Sequence, residues 1–184
     1  MARLPFSTLS SNIATLLPDN TTGEISPADV RAVATDLADT FRPAAHALLR
    51  PTPAAQALTT TDATLTVFDT ARGVGETGIV IPNIANSTLE AALVGAYRAD
   101  FTATLEGPNN DDVVLSLYRN AVATGIAGEI SLRGASNPVA LTFSFYTTTA
   151  AVNAVYTISA RLRTGSSNVT FSNVGFALSW VPGQ

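Results

Sequence analysis

The sequence offers few side chains that could do chemistry, and the first of them is its single histidine. His46 stands between Ala45 and Ala47, and no recognisable motif places a serine or an aspartate to work with it. A catalytic imidazole needs a nucleophile or an orienting carboxylate within hydrogen-bond reach. We therefore expect His46 to be a linker or packing residue, and no catalytic residue is predicted.

Adjacent carboxylates occur once, in a turn-forming run of Gly, Pro, Asn and Asp at residues 107–112. Asp111 and Asp112 could in principle cleave a glycan, but glycosidases place two carboxylates on either side of the scissile bond. Neighbours on a turn rarely converge in that way. The segment from Asn109 to Asp112 also carries the oxygen ligands that Ca²⁺ favours. The run predicts a solvated hairpin tip, and whether the tip holds Ca²⁺ stays open.

Other cofactor chemistry finds no support in the sequence. The chain has no cysteine, which excludes disulfides, iron–sulfur clusters and thiolate zinc sites, and one histidine cannot supply several imidazole ligands. Gly73, Gly75 and Gly78 lack the strand–loop–helix context and the lysine of a phosphate-binding loop, so they indicate flexibility. We predict no cofactor and no metal site.

The composition limits the classes of partner. Hydrophobic residues make up 46% of the 184 residues, whereas only 13% are charged. A surface with so little charge tends to associate, so an oligomer is expected. The net charge of −4 disfavours nucleic acid, whose binding depends on Lys and Arg. Because no apolar run approaches the roughly 20 residues that span a bilayer, and the N-terminus lacks a signal-like apolar core, we expect no membrane insertion and synthesis in a cytoplasm.

Residues 97–106 indicate the fold class. Their odd positions are apolar and their even positions polar: Tyr97, Ala99, Phe101, Ala103 and Leu105 against Arg98, Asp100, Thr102, Thr104 and Glu106. Successive side chains of a strand point to opposite faces, so this segment has one buried and one wet face. Charges at every second position favour an antiparallel sheet that is exposed on one side.

The same alternation returns in later segments. It recurs at residues 113–118, 126–132, 139–145 and 156–162, and at residues 169–180 with a change of phase at 173–175 that indicates a β-bulge. About eight strands at regular spacing predict an antiparallel sandwich or jelly roll, which we assign to residues 57–184.

One amphipathic helix, at about residues 27–41, precedes this domain. Ser26 suits the N-cap, Pro27 the first helical position and Asp29 the acidic place of a capping box. Residues 43–56, rich in Pro, Ala and Thr, predict an extended linker. Residues 1–42 are either a frayed terminus or an anchor that orders on a partner. The candidate anchor side chains are Leu4, Phe6, Ile13, Leu16, Leu17, Val30, Val33, Leu37 and Phe41.

Three residues of apolar or aromatic character fall on the outer side that the alternation predicts for their strands. They are Val114, Tyr118 and Tyr146. Single exposed hydrophobes are normal on protein surfaces, but aromatic residues are also enriched at subunit interfaces. They are therefore candidate subunit-interface residues, and both interpretations stay open.

Several stretches resemble known families. Residues 22–31, T-G-E-I-S-P-A-D-V-R, resemble a short segment near the N-terminus of structural proteins of tailed phages and gene transfer agents, where it precedes a C-terminal binding domain. Residues 97–101, Y-R-A-D-F, and 113–120, V-V-L-S-L-Y-R-N, are similar to C1q/TNF-like jelly rolls. In that family a strand that opens with an aromatic residue is followed by a turn and then by a strand that ends in an R/K-N-G corner. Ala121 stands where that family has the glycine. Residues 176–180, F-A-L-S-W, look like the family's last core strand.

These resemblances imply a mainly β, C1q/TNF-like jelly roll that forms a homotrimer on the surface of a virion. The protein would be a non-enzymatic head spike, head fibre or capsid decoration made in the bacterial cytoplasm. Its N-terminal segment would bind a capsid or other virion protein, and its jelly roll a host cell-surface polysaccharide. The alternatives are a cellular carbohydrate-binding or carbohydrate-cleaving domain, and a tail-fibre or receptor-binding component.

Overall fold

The computed structural model describes residues 11–13, 15, 26–41, 44–75, 78–134, 137–149 and 151–181. Residues 11–13 and 15 are helical, and the remaining described residues contain one longer helix, α1 (Pro27–Phe41). The strands are β1 (Ala44–Arg50), β2 (Ala54–Leu58), β3 (Ala63–Thr64), β4 (Thr70–Gly75), β5 (Val80–Asn83), β6 (Thr88–Ala91), β7 (Gly95–Glu106), β8 (Asn109–Arg119), β9 (Val122–Arg133), β10 (Val139–Thr149), β11 (Ala154–Leu162) and β12 (Ser167–Val181).

The strands pair into two six-stranded antiparallel sheets. Sheet A has the order β10, β7, β12, β1, β4, and β2 also pairs with β12. Sheet B has the order β5, β6, β11, β8, β9, and β3 also pairs with β11. Both sheets contribute to a single apolar core. The predicted mainly β, antiparallel sandwich is confirmed.

The order of the connections makes this sandwich a jelly roll. β7 pairs with β12 in sheet A, and β8 pairs with β11 in sheet B, so the later strands retrace the earlier ones in reverse. The chain changes sheet between β7 and β8, between β9 and β10, and on each side of β11. A long antiparallel hairpin whose arms are divided between two sheets has the jelly-roll topology. The predicted jelly roll is therefore confirmed.

The centre of the core lies between β7 and β12 in one sheet and β11 in the other. The five apolar side chains predicted to face inward from β7 are at most 1% exposed, and so are those of Tyr156, Ile158, Ala160 and Leu162 on β11. Burying one large apolar side chain contributes about 1.5–3 kcal/mol. These central strands therefore hold the two sheets together.

The predicted linker at residues 43–56 is wrong. Ala44–Arg50 and Ala54–Leu58 are strands that both pair with β12, the first along residues 174–179 and the second along residues 167–171. β12 is 15 residues long, so its backbone groups can serve two short partners. Pro51 and Pro53 lie between those partners, where a missing N–H removes no ladder hydrogen bond. The β domain therefore begins near residue 44 rather than 57.

Two local irregularities shape the strands. The register of β12 against β7 shifts just before Gly175, which confirms the predicted bulge. β8 and β9 are joined by two residues, because Arg119 pairs with Val122. Those residues, Asn120 and Ala121, have φ values of 51° and 62°. Positive φ at both central positions is the mark of a type I′ turn, so Ala121 holds a conformation in which alanine is less stable than glycine.

The predicted capping box of α1 is confirmed. The hydroxyl of Ser26 donates to Oδ2 of Asp29 over 2.7 Å, and the backbone N–H of Asp29 is 3.3 Å from that hydroxyl. The hydrogen bonds from Ser26 also lower the pKa of Asp29 below its usual value. None of the helices in the described ranges is long and apolar enough to cross a membrane.

Candidate functional site

Helix α1 presents apolar side chains that the chain leaves uncovered. Val30 is 51% exposed and Leu37 is 44% exposed, while Val33 is partly buried. These residues belong to the predicted anchor, and Ile13 of the same set is also partly buried. Leu4, Phe6, Leu16 and Leu17, and the side chain of Phe41, lie outside the described residues. The described residues of the predicted anchor therefore include an apolar stripe that is partly exposed.

The sandwich is open along one side, where β9 and β10 lie at the ends of their sheets. Apart from Leu132, which is 2% exposed, the inward-facing apolar side chains of these two edge strands are only partly buried, unlike those of the central strands. We call this surface the β9–β10 flank, and its residues are Ile126, Ile130, Leu141, Phe143 and Phe145. The sequence predicted the apolar face of residues 139–145 as core. The structure corrects this, because β10 is an edge strand and its face is covered on one side only.

The aromatic residues of the flank are stacked on the core. The ring of Phe143 lies 5.2 Å from the ring of Phe101 and 5.6 Å from that of Phe145, measured between centroids, at interplanar angles of 28° and 19°. Across from them lies Gly128 on β9, where an added Cβ would be 3.0 Å from Cδ1 of Phe143. The missing side chain leaves room for the ring. The flank is thus a fixed, aromatic surface, the kind that dominates the energetics of subunit contacts.

The three predicted interface residues do not share one surface. Val114 and Tyr118 face outward from sheet B, whereas Tyr146 faces outward from sheet A. Val114 is 8% exposed, so its own chain already covers it, while Tyr146 is 70% exposed. Of the three, Tyr146 is the one that adjoins the β9–β10 flank, since it follows Phe145 on the edge strand.

A hollow of about 310 Å³ opens on the outer face of sheet B. Its residues come from β8, β11, the β8–β9 turn and the segment leading into β3: Asp62, Thr64, Tyr118, Ala121, Val155, Thr157 and Ser159. We call it the Tyr118 hollow. The phenol of Tyr118 donates a hydrogen bond of 2.7 Å to Oδ2 of Asp62, and Nε of Arg161 lies 3.6 Å from Oδ1 of the same carboxylate. The carboxylate is therefore held from both sides.

The electrostatics of the hollow keep this arrangement in place at neutral pH. The hydrogen bond to Asp62 raises the pKa of Tyr118 above its usual value, burial and the charge of Asp62 raise it further, and Arg161 opposes the shift. A phenol with a raised pKa stays protonated and continues to donate to the carboxylate. Asp62 and Arg161 carry opposite charges, so the hollow is close to neutral overall.

A second hollow, of about 350 Å³, lies on the outer face of sheet A beside the β12 bulge. It includes Arg50 and Arg72, together with apolar side chains such as Leu49 and Val174. Arg50 is engaged by Asp69, with Nη1 3.1 Å from Oδ2. The two hollows thus differ in chemistry: one centres on a carboxylate with hydroxyls, and the other on guanidinium groups with apolar walls.

His46 is a packing residue in a strand. It lies on β1 between Ala44 and Leu48, which are 1% and 0% exposed, and pairs with Leu178 on β12 and Gly73 on β4. Its Nε2 is buried and has no hydrogen-bond partner among the described residues. Burial lowers the pKa of His46 below its usual value. The imidazole is therefore neutral at pH 7.

The adjacent acids, Asp111 and Asp112, diverge. The predicted hairpin tip is wrong, because Asn109–Arg119 is one strand. Asp111 accepts a hydrogen bond of 2.7 Å from the hydroxyl of Ser167, whereas Asp112 accepts one from Ser131 on a different strand. Within the ranges that the structure describes, no group of three or more acidic or histidine side chains is placed to bind a metal.

The flank and the Tyr118 hollow could not be recognised in the sequence. Alternation shows which side of a strand faces inward, but it does not show which strand ends a sheet. The hollow joins Asp62 to Tyr118 across 56 positions of sequence, so no local pattern marks it. The one signal of the hollow in the sequence is the aromatic side chain of Tyr118 at an outward position of its strand.

None of the protein-family models and none of the curated proteins compared with the chain matches it. Several solved structures are similar in fold. The globular domain of zebrafish complement 1qA protein shares 17% identity over 72% of this chain and 94% of its own, with a TM-score of 0.48. PRD1 vertex protein P5 shares 14% identity over 75% and 73%, with a TM-score of 0.49. Murine APRIL shares 8% identity over 76% and 99%, with a TM-score of 0.47.

Proposed function

We propose that this chain is a non-enzymatic structural protein of a virion, a head spike, head fibre or capsid decoration. Its N-terminal segment attaches it to a capsid or other virion protein. Its jelly roll associates as a homotrimer on the particle surface and binds a host-surface polysaccharide. The resemblance of residues 22–31 to phage and gene-transfer-agent structural proteins supports the setting.

The observation that carries the proposal is that the chain leaves apolar surface uncovered in two separate places. One is the stripe of α1, where Val30 and Leu37 are about half exposed. The other is the β9–β10 flank, where stacked aromatic rings are covered on one side only. Exposed apolar patches of this kind mark interaction sites. Two patches at different parts of the chain fit two roles, attachment by the helix and self-association by the sandwich.

Self-association can use the flank of one copy and the outer face of sheet A in the next. The register of β1 with β12 places small, uncharged residues side by side on that face: Ala47 opposite Ala177, and Ala45 opposite Ser179. Small residues let a neighbouring chain approach closely. A contact between two different surfaces is heterologous, and it forms a ring when the rotation that relates the copies closes. A ring of three is the assembly that the C1q/TNF-like resemblance implies.

The absence of an enzymatic role is part of the proposal. His46 is packed against a glycine with its Nε2 buried, and Asp111 and Asp112 point to different strands. These positions suit structural roles rather than proton transfer. A carbohydrate-binding or carbohydrate-cleaving domain of a cell is the second candidate, since the Tyr118 hollow is compatible with either setting. An assay for released reducing ends identifies a cleaving enzyme, and the presence of the chain on purified particles distinguishes a spike from a cellular binding domain.

Light scattering coupled to size exclusion tests the oligomeric half of the proposal. The full chain should elute as a trimer, and Phe145→Lys, which places a charge on the flank, should elute as a folded monomer. Val152→Lys is the matched control, because Val152 is 60% exposed and lies outside the flank. It should stay trimeric. If Phe145→Lys unfolds, Tyr146→Glu gives the answer, since Tyr146 is 70% exposed and cannot be core. A monomeric wild type would overturn the trimer.

Particle images test attachment. Cryo-electron microscopy of particles with and without the gene should show a projection that is lost in its absence. A projection that persists would assign the density to another protein.

A further inference from the structure

Acceptors and donors of hydrogen bonds form part of the lining of the Tyr118 hollow. Asp62 already accepts from Tyr118 and faces Arg161, and an ionised carboxylate has further lone pairs available. The hydroxyls of Thr157 and Ser159 lie two positions apart on β11, on the same outer side. Within the described part of the chain, neither hydroxyl is engaged in a hydrogen bond. These groups can therefore receive the hydroxyls of a ligand, with Asp62 and Thr157 as the main contacts because Ser159 is only 5% exposed.

The hollow also has an apolar part of its lining. Ala121 and Val155 line it together with Tyr118, whose hydroxyl donates to Asp62 and whose ring offers an apolar surface. An aromatic side chain with a polar end combines a large contact area with a fixed hydrogen bond. A sugar ring has the same division, since it carries an apolar face of C–H groups and an equatorial rim of hydroxyls.

The charge and size of the hollow narrow the class of ligand. Asp62 and Arg161 offset one another, so no net charge is left to attract an acid or a base. A volume of about 310 Å³ is at the small end of ligand sites and accepts one or two sugar rings. The hollow of sheet A, with Arg50 and Arg72, would instead favour an anionic group.

The position of the hollow fits a role in attachment to a host. It opens on sheet B, whereas the trimer proposed above buries the outer face of sheet A and the β9–β10 flank. The Tyr118 hollow therefore stays on the outside of the assembly, once in each copy. Three weak sites on one rigid particle can bind a repetitive polysaccharide strongly, because binding of the second and third sites is intramolecular.

We infer that the Tyr118 hollow is a binding site for a neutral saccharide, with Asp62, Thr157 and Ser159 receiving its hydroxyls and Tyr118 contacting its apolar face. The inference rests on the proposed function, because it names the site and the chemical class of the host polysaccharide. It also gives Tyr118 a role other than the subunit contact for which it is a candidate.

The test uses the full chain on a printed array of neutral hexose and N-acetylhexosamine oligosaccharides, with uronate- and sialate-bearing oligosaccharides as the acidic arm. The oligosaccharide with the strongest signal is then titrated by calorimetry. Asp62→Asn should weaken binding at least about tenfold, since a hydrogen bond to a charged acceptor is lost. Thr157→Val should weaken it severalfold. Val152→Lys, which lies outside the hollow, the flank and the outer face of sheet A, should bind as the wild type does.

Each outcome tells whether the proposed site or the proposed glycan-binding function fails. Neutral binding that both hollow variants weaken, with Val152→Lys unchanged, supports the inference. Neutral binding that neither variant weakens overturns the site and leaves the proposed glycan binding intact. Binding on the acidic arm alone overturns the ligand class. Binding to neither arm overturns both the inference and the glycan-binding half of the proposed function. Asp62→Asn changes the acceptor of the Tyr118 hydrogen bond, so circular dichroism is used to check that this variant is folded. The reference is Thr157→Val, which disturbs no hydrogen bond of the described residues.

Discussion

The imidazole of His46 lies directly against the bare Cα of Gly73 on the neighbouring strand. A Cβ built on Gly73 would fall 2.1 Å from Cε1 and Nδ1 of the ring, far inside van der Waals contact. The two residues are opposite each other in the register of β1 with β4. Gly73 is therefore required by packing, which corrects its assignment from the sequence to a flexible segment.

We expect Gly73→Ala to destabilise the β domain by about 1–3 kcal/mol, the usual cost of forcing extra volume into a packed site. The same substitution in a His46→Ala background should cost far less, because the ring that it strikes is gone. Chemical denaturation of the wild type, the two single variants and the double variant gives the cost of Gly73→Ala in both backgrounds. Equal costs in the two backgrounds would show that the glycine is needed for its backbone instead.

His46 should make the stability depend on pH. Burial lowers its pKa in the folded state, so the unfolded chain, with a pKa near 6.5, binds the proton more tightly. The free energy of unfolding should therefore be largest above about pH 6.5 and should fall as the pH drops through that value toward the folded pKa. His46→Leu should remove this component. The measurement is the difference in the free energy of unfolding between wild type and variant from about pH 8 to about pH 5, roughly one and a half units on either side of the free pKa. A constant difference would contradict the prediction.

Ala121→Gly should stabilise the protein by about 1 kcal/mol. Ala121 has a φ of 62° at the second place of the type I′ turn, a region that costs a residue with a Cβ about 1–2 kcal/mol. Part of that gain is lost to the greater freedom of glycine in the unfolded chain. Ala123→Gly is the matched control, because Ala123 lies in β9 opposite Tyr118 and should lose about 0.5–1 kcal/mol. Thermal and denaturant unfolding measure both. A destabilising Ala121→Gly would contradict the turn assignment.

Leu37→Asp should abolish attachment without weakening the β domain. Leu37 is 44% exposed on α1, so a charge there disturbs little in the chain itself, and the free energy of unfolding should stay within about 0.5 kcal/mol. A partner that covers the stripe would have to bury that charge. Incorporation into particles, measured by immunoblotting of purified virions, should fall to background. Ala32→Asp is the control, since Ala32 is already exposed and lies off the apolar stripe. Normal incorporation of Leu37→Asp would place the attachment elsewhere in the N-terminal segment.

Local patterns predicted the elements whose own side chains decide them. The alternation of Tyr97, Phe101 and Leu105 identified β7 and its buried face, because a strand with one apolar side has one stable orientation. Ser26 and Asp29 identified the start of α1 by the capping hydrogen bonds they form. In both cases the signal and its physical cause lie within a few residues of each other.

The segments that were wrongly predicted depend on distant partners. β1 and β2 are short and rich in alanine, and they are strands because β12 pairs with them more than 100 positions later. Asn109 to Asp112 had the composition of a turn, yet the pairing with β9 extends β8 through it. Backbone hydrogen bonds to a distant strand carry no trace in the local side chains.

The sequence by itself determined the antiparallel β character, the inward faces of the main strands, the capped helix and the low charge, because each follows from the period and chemistry of neighbouring residues. The tertiary structure alone decided which strands end the sheets, and hence where the aromatic flank lies open. It also decided that Asp62 meets Tyr118 and that His46 meets Gly73. Such contacts depend on how strands from remote parts of the chain align, and that alignment is settled only when the two sheets close on a common core.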